Sequence, residues 1–389
     1  MFILQNEEKL FQASYPKAMH GILGKYSLIL VSGDLHRKLR NVVVSFVNSS
    51  KSSPKFLHCV EELSITMMES WNGLDQVAFF SQAKTFTMSI MVNHLLNIKP
   101  GEPRALEILE DFEMYMKGFI SLPIYIPGTA YSKAIKARER LSTMVKKIMK
   151  ERVKNKIKIK GLINKEGEDF LDMILAKQNL SEEEMVSVVL DILLGGYETT
   201  ATLLSLIVYF LAHSPNTFQK LKEEQQAMRK NKEDGEPLNW EDYKKMEFTY
   251  HVICEALRCG NVVKFVHRKA LQDVKFKGIL IPSGWKVLPI FTGAHFDTFL
   301  HDKPHEFNPW RWTDEEMHKK VTPFGGGKRL CPGADLAKVV IGFFLHHLVL
   351  NYRWKIKADE VPLAYPYVEF RRGLMLEIEP ARDALLEKN

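Results

Sequence analysis

Apolar residues dominate 185–212, and no other feature of the chain restricts its fold as strongly. Ser181-Glu182-Glu183-Glu184 precedes it with the Ser-x-x-Glu spacing of a capping box, in which each end residue satisfies the other's orphan N–H. Pro215 follows, and the residue before a proline is pushed out of helical geometry, so the helix should end short of it. About thirty residues at roughly 1.5 Å each give a rod of about 45 Å, enough to cross a whole domain. Asp191 and Glu198 interrupt it, and the apolar run left over, 199–212, falls short of the roughly 20 residues a membrane span needs.

Gly195-Gly196-Tyr197-Glu198-Thr199-Thr200 sits in the middle of this rod. Two glycines cost a helix interior about 2 kcal/mol relative to alanine, and two β-branched threonines do little to offset it. Such a weak point is either a packing notch for a neighbouring element or a face kept open for a bound group.

Phe324-Gly325-Gly326-Gly327-Lys328-Arg329-Leu330-Cys331-Pro332-Gly333 places a lone cysteine between a glycine-rich turn and an apolar helical stretch, 334–350. A thiolate is the useful form of cysteine and needs a positive, donor-rich setting. Here glycines admit backbone N–H groups, Arg329 adds charge, and the helix offers its positive end. A phosphate loop would want Ser or Thr where Arg329 stands. A nucleophile would need a base and an orienter supplied by the fold. A buried structural cysteine and a metal or haem thiolate are the other readings.

The spacing F-x-x-G-x-R-x-C-x-G resembles that of the cytochrome P-450 haem-thiolate monooxygenases. All five fixed positions are present as Phe324, Gly327, Arg329, Cys331 and Gly333. The resemblance makes Cys331 the axial ligand of a haem iron, and the other four its cofactor-binding surroundings. Residues 195–200 are similar to the family's [A/G]-G-x-[D/E]-T-[T/S] oxygen groove. That implies Thr199 as hydrogen-bond partner of the dioxygen being activated and Glu198 as a proton relay.

Glu255-Ala256-Leu257-Arg258 lies in a helical stretch, 243–258, where residues three apart share a face. On a surface such a pair contributes well under about 1 kcal/mol and would mean nothing. The resemblance joins Glu255 and Arg258 to Arg311, within Phe307-Asn308-Pro309-Trp310-Arg311-Trp312, as a buried structural charge network. Removing one partner strands a buried charge, so Arg311→Ala is expected to cost several kcal/mol and to lose haem. Taken alone, His36-Arg37-Lys38-Leu39-Arg40 is a solvated basic face. By resemblance Arg40, with His36 where the family commonly has tryptophan, meets a haem propionate, and Arg268 and Arg329 supply further counter-charge. Substrate-facing positions implied in the same way are Phe119, Leu194, Gly195, Val263, Phe265 and Leu374, largely apolar, which suits a rigid apolar substrate.

Several long amphipathic stretches and only short strand-like pieces (262–266, 284–290, 368–378) argue a mainly α fold with small β-sheets, α+β overall. The length would allow two domains, yet no linker divides the chain, so a single domain over 1–389 is expected. The four cysteines include no C-x-x-C, which disfavours zinc and a disulfide scaffold and suits a reducing compartment. Net charge is +7, and the basic run 146–160 tempts a nucleic-acid reading. It lacks interleaved aromatics, so it reads as a solvated helix face with no nucleic-acid partner. Lys328, Lys338, Arg37 and Lys38 offer a basic patch for an acidic redox partner.

The resemblance implies a monomeric monooxygenase that uses haem, O2 and electrons from NADPH through a cytochrome P-450 reductase. Residues 119–123, 127–129, 257–264, 267–270 and 365–370 are similar to the plant brassinosteroid-biosynthetic branch, among steroid C-22 hydroxylases. Side-chain hydroxylation of a phytosterol at C-22 is then the expected reaction. Another sterol or triterpenoid substrate, an inactive sterol-binding paralogue, and a soluble haem carrier are the alternatives. Met1-Phe2-Ile3-Leu4-Gln5-Asn6-Glu7 resembles family sequence that ordinarily follows an anchor, a first helix and the first sheet strands. The expectation is the family fold without those elements. The cytosolic face of the endoplasmic reticulum membrane is implied by the family, with no transmembrane anchor in this chain.

Overall fold

The computed structural model describes residues 1–158, 169–177, 179–233, 235–357, 360–364 and 367–381. Part of the basic run 146–160, and Tyr365 and Pro366 of the brassinosteroid-like wording, lie outside them. Among the described residues helices dominate, with two three-stranded and two two-stranded sheets whose strands pair antiparallel. The mainly α expectation holds. The strand-like piece 262–266 does not become a strand and makes only an isolated bridge from Phe265 to Ile290. The piece 284–290 contributes Lys286–Val287, and 368–378 splits into Val368–Phe370 and the start of Met375–Pro380.

The chain forms two compact units, and three of the five boundaries between their segments fall inside helices Gly33–Ser50, Phe79–Leu96 and Glu182–Ala212. The first unit comprises Met1–Phe46, Met88–Gly196 and His267–Pro289. In it, helices Pro103–Gly118 and Ala130–Lys158 pack side by side, and Gly118 admits Ala134 and Ile22 where any side chain would collide. Asp111 receives Arg140 Nε at 2.9 Å across the pair. A small sheet orders Phe11–Ala13 beside Arg268–Ala270 and then Lys286–Val287.

The second unit comprises Val47–Thr87, Tyr197–Val266 and Ile290–Asn389. Its sheet runs Gln76–Ala78, Met375–Pro380, Tyr352–Ile356. Helix Ala334–Asn351 follows the cysteine segment and is buried along most of its length, with Phe343, Phe344 and Leu345 at 0% exposure. Phe86 and Phe79 meet Phe344 at ring-centroid distances of 4.9 and 6.0 Å.

The long helix spans Glu182–Ala212. Its capping box is reciprocal: Glu184 N–H donates to Ser181 Oγ at 3.2 Å, and Ser181 N–H to Glu184 Oε2 at 2.7 Å. The interruption at Asp191 has a purpose within the first unit, since its carboxylate accepts Ser27 Oγ–H at 2.8 Å and Leu28 N–H at 2.6 Å. Burial drives the Asp191 carboxyl up to about 7 against those hydrogen bonds and the Arg138 charge. The run 199–212 alone is too short to span, but by length and composition the whole helix Glu182–Ala212, like Ala334–Asn351, is long and apolar enough to cross a membrane. Their most apolar windows are 67% and 61% buried within the protein, which is how core helices behave.

Candidate active site

Cys331 is exposed at the end of a loop built by glycines. Gly325 and Gly327 adopt φ of 75° and 63°, in the left-handed region that side chains disfavour. Three backbone hydrogen bonds close the loop: Gly325 N–H to Thr322 O at 3.0 Å, Leu330 N–H to Gly327 O at 3.1 Å, and Cys331 N–H to Phe324 O at 3.0 Å. Gly333 then caps helix Ala334–Asn351. The other cysteines have no such setting. Burial pushes the Cys59 and Cys254 thiols up to about 11 and the Cys259 thiol up to about 12.

The glycine pair on the long helix divides its labour. A Cβ on Gly196 would sit 2.5 Å from Met91 Sδ, so Gly196 is the packing notch. A Cβ on Gly195 would meet nothing within 4 Å. Between Glu184 and Ala212 the helix is buried or half-buried throughout, except at Gly195 and Thr199, one turn apart on one face. The packing-notch reading thus applies to Gly196, while Gly195 has room for a side chain.

Glu198 lies beside Thr199 and pairs through Oε1 with Lys84 Nζ at 2.9 Å, while its Oε2 is buried without a hydrogen-bond partner among the described residues. Lys84 also stacks over the Phe80 ring at 4.4 Å. Thr87 Oγ–H lies 3.0 Å from Tyr197 O and 3.1 Å from Lys84 O, tying the backbones together next to this pair. Neither Lys84 nor Thr87 was singled out from the sequence, because nothing local marks a lysine or threonine for a partner over a hundred residues away.

Glu255, Arg258 and Arg311 come together. Glu255 and Arg258 are both 0% exposed. Glu255 Oε1 accepts Arg258 Nη2 at 2.8 Å, Arg311 Nε at 2.9 Å and Asn308 N–H at 3.0 Å; Oε2 accepts Arg258 Nε and Trp312 Nε1, each at 2.9 Å. Burial would raise the Glu255 carboxyl, but the Arg258 hydrogen bonds and charge outweigh it and hold it below the usual range. Arg258 spends its remaining donors on three carbonyls: His295 at 2.8 Å, Pro304 at 2.6 Å and Glu306 at 3.1 Å. Trp312 and Asn308 were missed as members, although they flank Arg311 in sequence.

His295 links this network to the cysteine loop. Its Nε2 lies 3.1 Å from Thr322 N–H and so accepts, which assigns the proton to Nδ1, 2.7 Å from Asn261 Oδ1. Burial lowers the His295 imidazolium to about 4, which keeps the ring neutral in this role.

His36 and Arg40 lie one turn apart on helix Gly33–Ser50, His36 buried and Arg40 half-buried. Their neighbours differ: Arg37 pairs with Asp34 and, at 3.5 Å, with Glu8, and Lys38 pairs with Glu184 at 3.0 Å. Lys338 is only 14% exposed and ion-paired at 3.8 Å to Asp335. Carboxylates thus engage Lys38 and Lys338, whereas Arg37 and Lys328 are exposed, Lys328 at the rim of the cysteine loop. Arg268 is 3% exposed and sits 2.6 Å from Glu7 Oε2, a close charge contact without hydrogen-bond geometry. Phe119, Leu194 and Gly195 belong to the first unit, and Val263, Phe265 and Leu374 to the second. Val263 is 40% exposed, whereas Leu374 is fully buried at a φ of 55°, its carbonyl accepting Phe79 N–H at 3.0 Å.

No group of three or more His, Cys, Asp and Glu able to cage a bare metal ion occurs among the described residues. One exposed thiol on a glycine-built loop suits an iron whose other ligands come with a macrocycle. Haem fits the residues present.

A family model described as "Cytochrome P450" matches residues 2–381. The chain is 53% identical over 388 residues to "Cytochrome P450 724B1" of Oryza sativa subsp. japonica, covering 97% of this chain and 79% of that one. It is 40% identical over 381 residues to "Cholesterol 22-monohydroxylase CYP90B52" of Paris polyphylla, covering 97% and 80%. Among solved structures it is similar to "Retinoic acid bound cyanobacterial CYP120A1", with a TM-score of 0.86, 25% identity and coverage of 98% of this chain and 87% of that one. Family match, fold and an exposed thiol on a glycine-built loop agree: the chain belongs to the cytochrome P-450 family.

Proposed function

We propose that this protein hydroxylates a plant sterol on its side chain, at C-22, as a step of brassinosteroid biosynthesis. The enzyme is a haem-dependent cytochrome P-450 monooxygenase that uses O2 and electrons supplied by a reductase. The overall conversion takes one O2, two electrons, two protons and R–H to R–OH and water. The C-22 assignment draws on relatives named as cholesterol 22-monohydroxylases and steroid (22S)-hydroxylases. The 53%-identical relative carries no substrate in its name, so another sterol or a triterpenoid stays as the second reading.

The observation that carries the reading is the exposed Cys331 thiol on its glycine loop. Bound haem supplies dioxygen activation, and a thiolate ligand favours O–O cleavage. Cys331 Sγ is the atom that would hold the iron. Arg329, Arg40, His36 and Arg268 would balance the propionates, Arg268 sharing its charge with Glu7. Thr199 would donate a hydrogen bond into the open face at Gly195, and Glu198 would pass a proton from its unpaired Oε2 while Lys84 holds Oε1. The Glu255–Arg258–Arg311 network would keep the cysteine loop's neighbours fixed without touching the reacting atoms.

For location, we propose the cytosolic face of the endoplasmic reticulum membrane, with a single-domain monomer served by NADPH–cytochrome P-450 reductase. Supporting this, Ile120, Leu122, Ile124, Tyr125 and Ile126 are all exposed, between 46% and 74%, on one loop of the first unit. So apolar a loop suits a lipid surface that also delivers an apolar substrate.

The test is to titrate phytosterols against the haem-loaded protein while following the Soret band, then locate the new hydroxyl. A campesterol-type sterol should shift the iron spin state and yield a 22-hydroxy product. Cys331→Ser should lose both the red-shifted carbon monoxide band and turnover. Sterol oxidation that survives Cys331→Ser would defeat the reading.

A further inference from the structure

Lys338 carries a charge that the proposed chemistry leaves unused. Its Nζ lies 5.0 Å from the centre of the Tyr250 ring and 5.6 Å from the centre of the Phe324 ring, both within the roughly 6 Å over which a ring face attracts a cation. Asp335 Oδ1 stands 3.8 Å away and takes Lys51 at 2.8 Å on its other oxygen. The Lys51 hydrogen bond, helped by the Lys338 charge, holds the Asp335 carboxyl below its usual range despite burial. A lysine this enclosed is rare unless its charge is answered. Here two ring faces and a shared carboxylate answer it.

The two rings belong to different elements. Tyr250 lies on helix Glu247–Gly260, which also carries Glu255 and Arg258. Phe324 opens the cysteine loop, and its carbonyl accepts Cys331 N–H at 3.0 Å. Anything that moves Phe324 therefore moves the backbone of the thiol itself. A methionine of similar length would fill the same gap but could not bind both ring faces by charge.

We infer that Lys338 is a positioning residue for the Cys331 thiolate, clamping Phe324 against helix Glu247–Gly260 and setting a fixed positive charge beside the loop that holds the sulfur. The inference rests on Cys331 as haem ligand. A nearby cation favours the more electron-rich reduced state, and supporting charges of this kind tune the potential of a ligated metal. It also gives Lys338 an inward role instead of one in partner docking.

Lys338→Met and Lys338→Arg, prepared as full chains loaded with haem, test it through the ferric–ferrous midpoint potential and the carbon monoxide band of the reduced protein. Lys338→Met should lower the equilibrium constant for reduction threefold to tenfold, a tenfold change being about 59 mV for a one-electron couple. It should also increase the fraction lacking the red-shifted band. Lys338→Arg should stay near wild type. A Met variant with wild-type potential and band overturns the inference, and so do Met and Arg variants disturbed equally, since volume and not charge would then set the loop. If the Met variant takes up no haem, an Arg variant with wild-type potential supports the clamp and one that also fails refutes it. A wild type without the red-shifted band removes the ligation reading itself, which separates that failure from one at Lys338.

Discussion

Arg258 and Arg311 both reach Glu255, yet they should differ sharply when truncated. Arg311→Ala removes one 2.9 Å donor from Glu255, together with longer contacts to the carbonyls of Asp302, Lys303 and Glu306 at 3.1 to 3.5 Å. Glu255 keeps Arg258, Trp312 and the Asn308 amide. A hydrogen bond to a charged group contributes about 1.5–3 kcal/mol, so the loss should be about 2 kcal/mol. That is less than the several kcal/mol, with loss of haem, expected from the motif alone, because four donors remain. Arg258→Ala removes the bidentate partner from a carboxylate of 0% exposure, takes the Arg258 donors from the carbonyls of His295 and Pro304, and leaves that of Glu306 only a 3.5 Å contact from Arg311. Breaking a buried pair costs about 3–5 kcal/mol, and each orphaned acceptor adds about 1 kcal/mol or more. The sum approaches the whole stability of an ordinary domain, about 5–15 kcal/mol. Urea unfolding followed by circular dichroism, with haem content of the purified protein, separates the cases. Equal losses for the two variants would refute the reasoning, as would an Arg258→Ala protein of normal stability.

Gly195→Ala should gain about 1 kcal/mol of helix stability while weakening the sterol-induced spin shift, whereas Gly196→Ala should lose stability against Met91, overpacking costing about 1–3 kcal/mol; denaturant midpoints falling in the reverse order would contradict this. Asp191 binds its proton more tightly folded, at about 7 against an ordinary 3.8, so its favourable contribution is present at low pH and lost as pH rises from about 4 through 7. Asp191→Asn should therefore be stabilised relative to wild type by a few kcal/mol more at pH 8 than at pH 4, and a difference independent of pH would exclude the buried acid as its source. Lys84→Met should leave the reduced carbon monoxide band intact but lower product formed per O2 consumed several-fold, and unchanged coupling would remove Lys84 from the proton path.

Much of the site could be read along the chain because its determinants are local. The capping box at Ser181 and Glu184, the glycine turn before Cys331 and the i, i+3 pair at Glu255 and Arg258 each fit within a few residues. What escaped is non-local: Lys84 meets Glu198, His295 meets Thr322, and Asp191 meets Ser27 and Leu28 only once the chain has folded. Charge patterning misled for the same reason. Arg37, Lys38 and Lys338 look alike as exposed cations in sequence, but each is answered by a carboxylate in space. The apolar piece 262–266 failed as a strand because Phe265 finds only an isolated bridge to Ile290 and no ladder to join.

Arg258 gives irregular backbone a rigidity that loops ordinarily lack. By grasping the carbonyls of residues 295, 304 and 306 from a buried helix, it fixes the span between them as firmly as a neighbouring strand would. That stretch should consequently tolerate changes of side chain at its surface but not of length, since one inserted residue would pull a carbonyl out of the grip of an ion that has nowhere else to go.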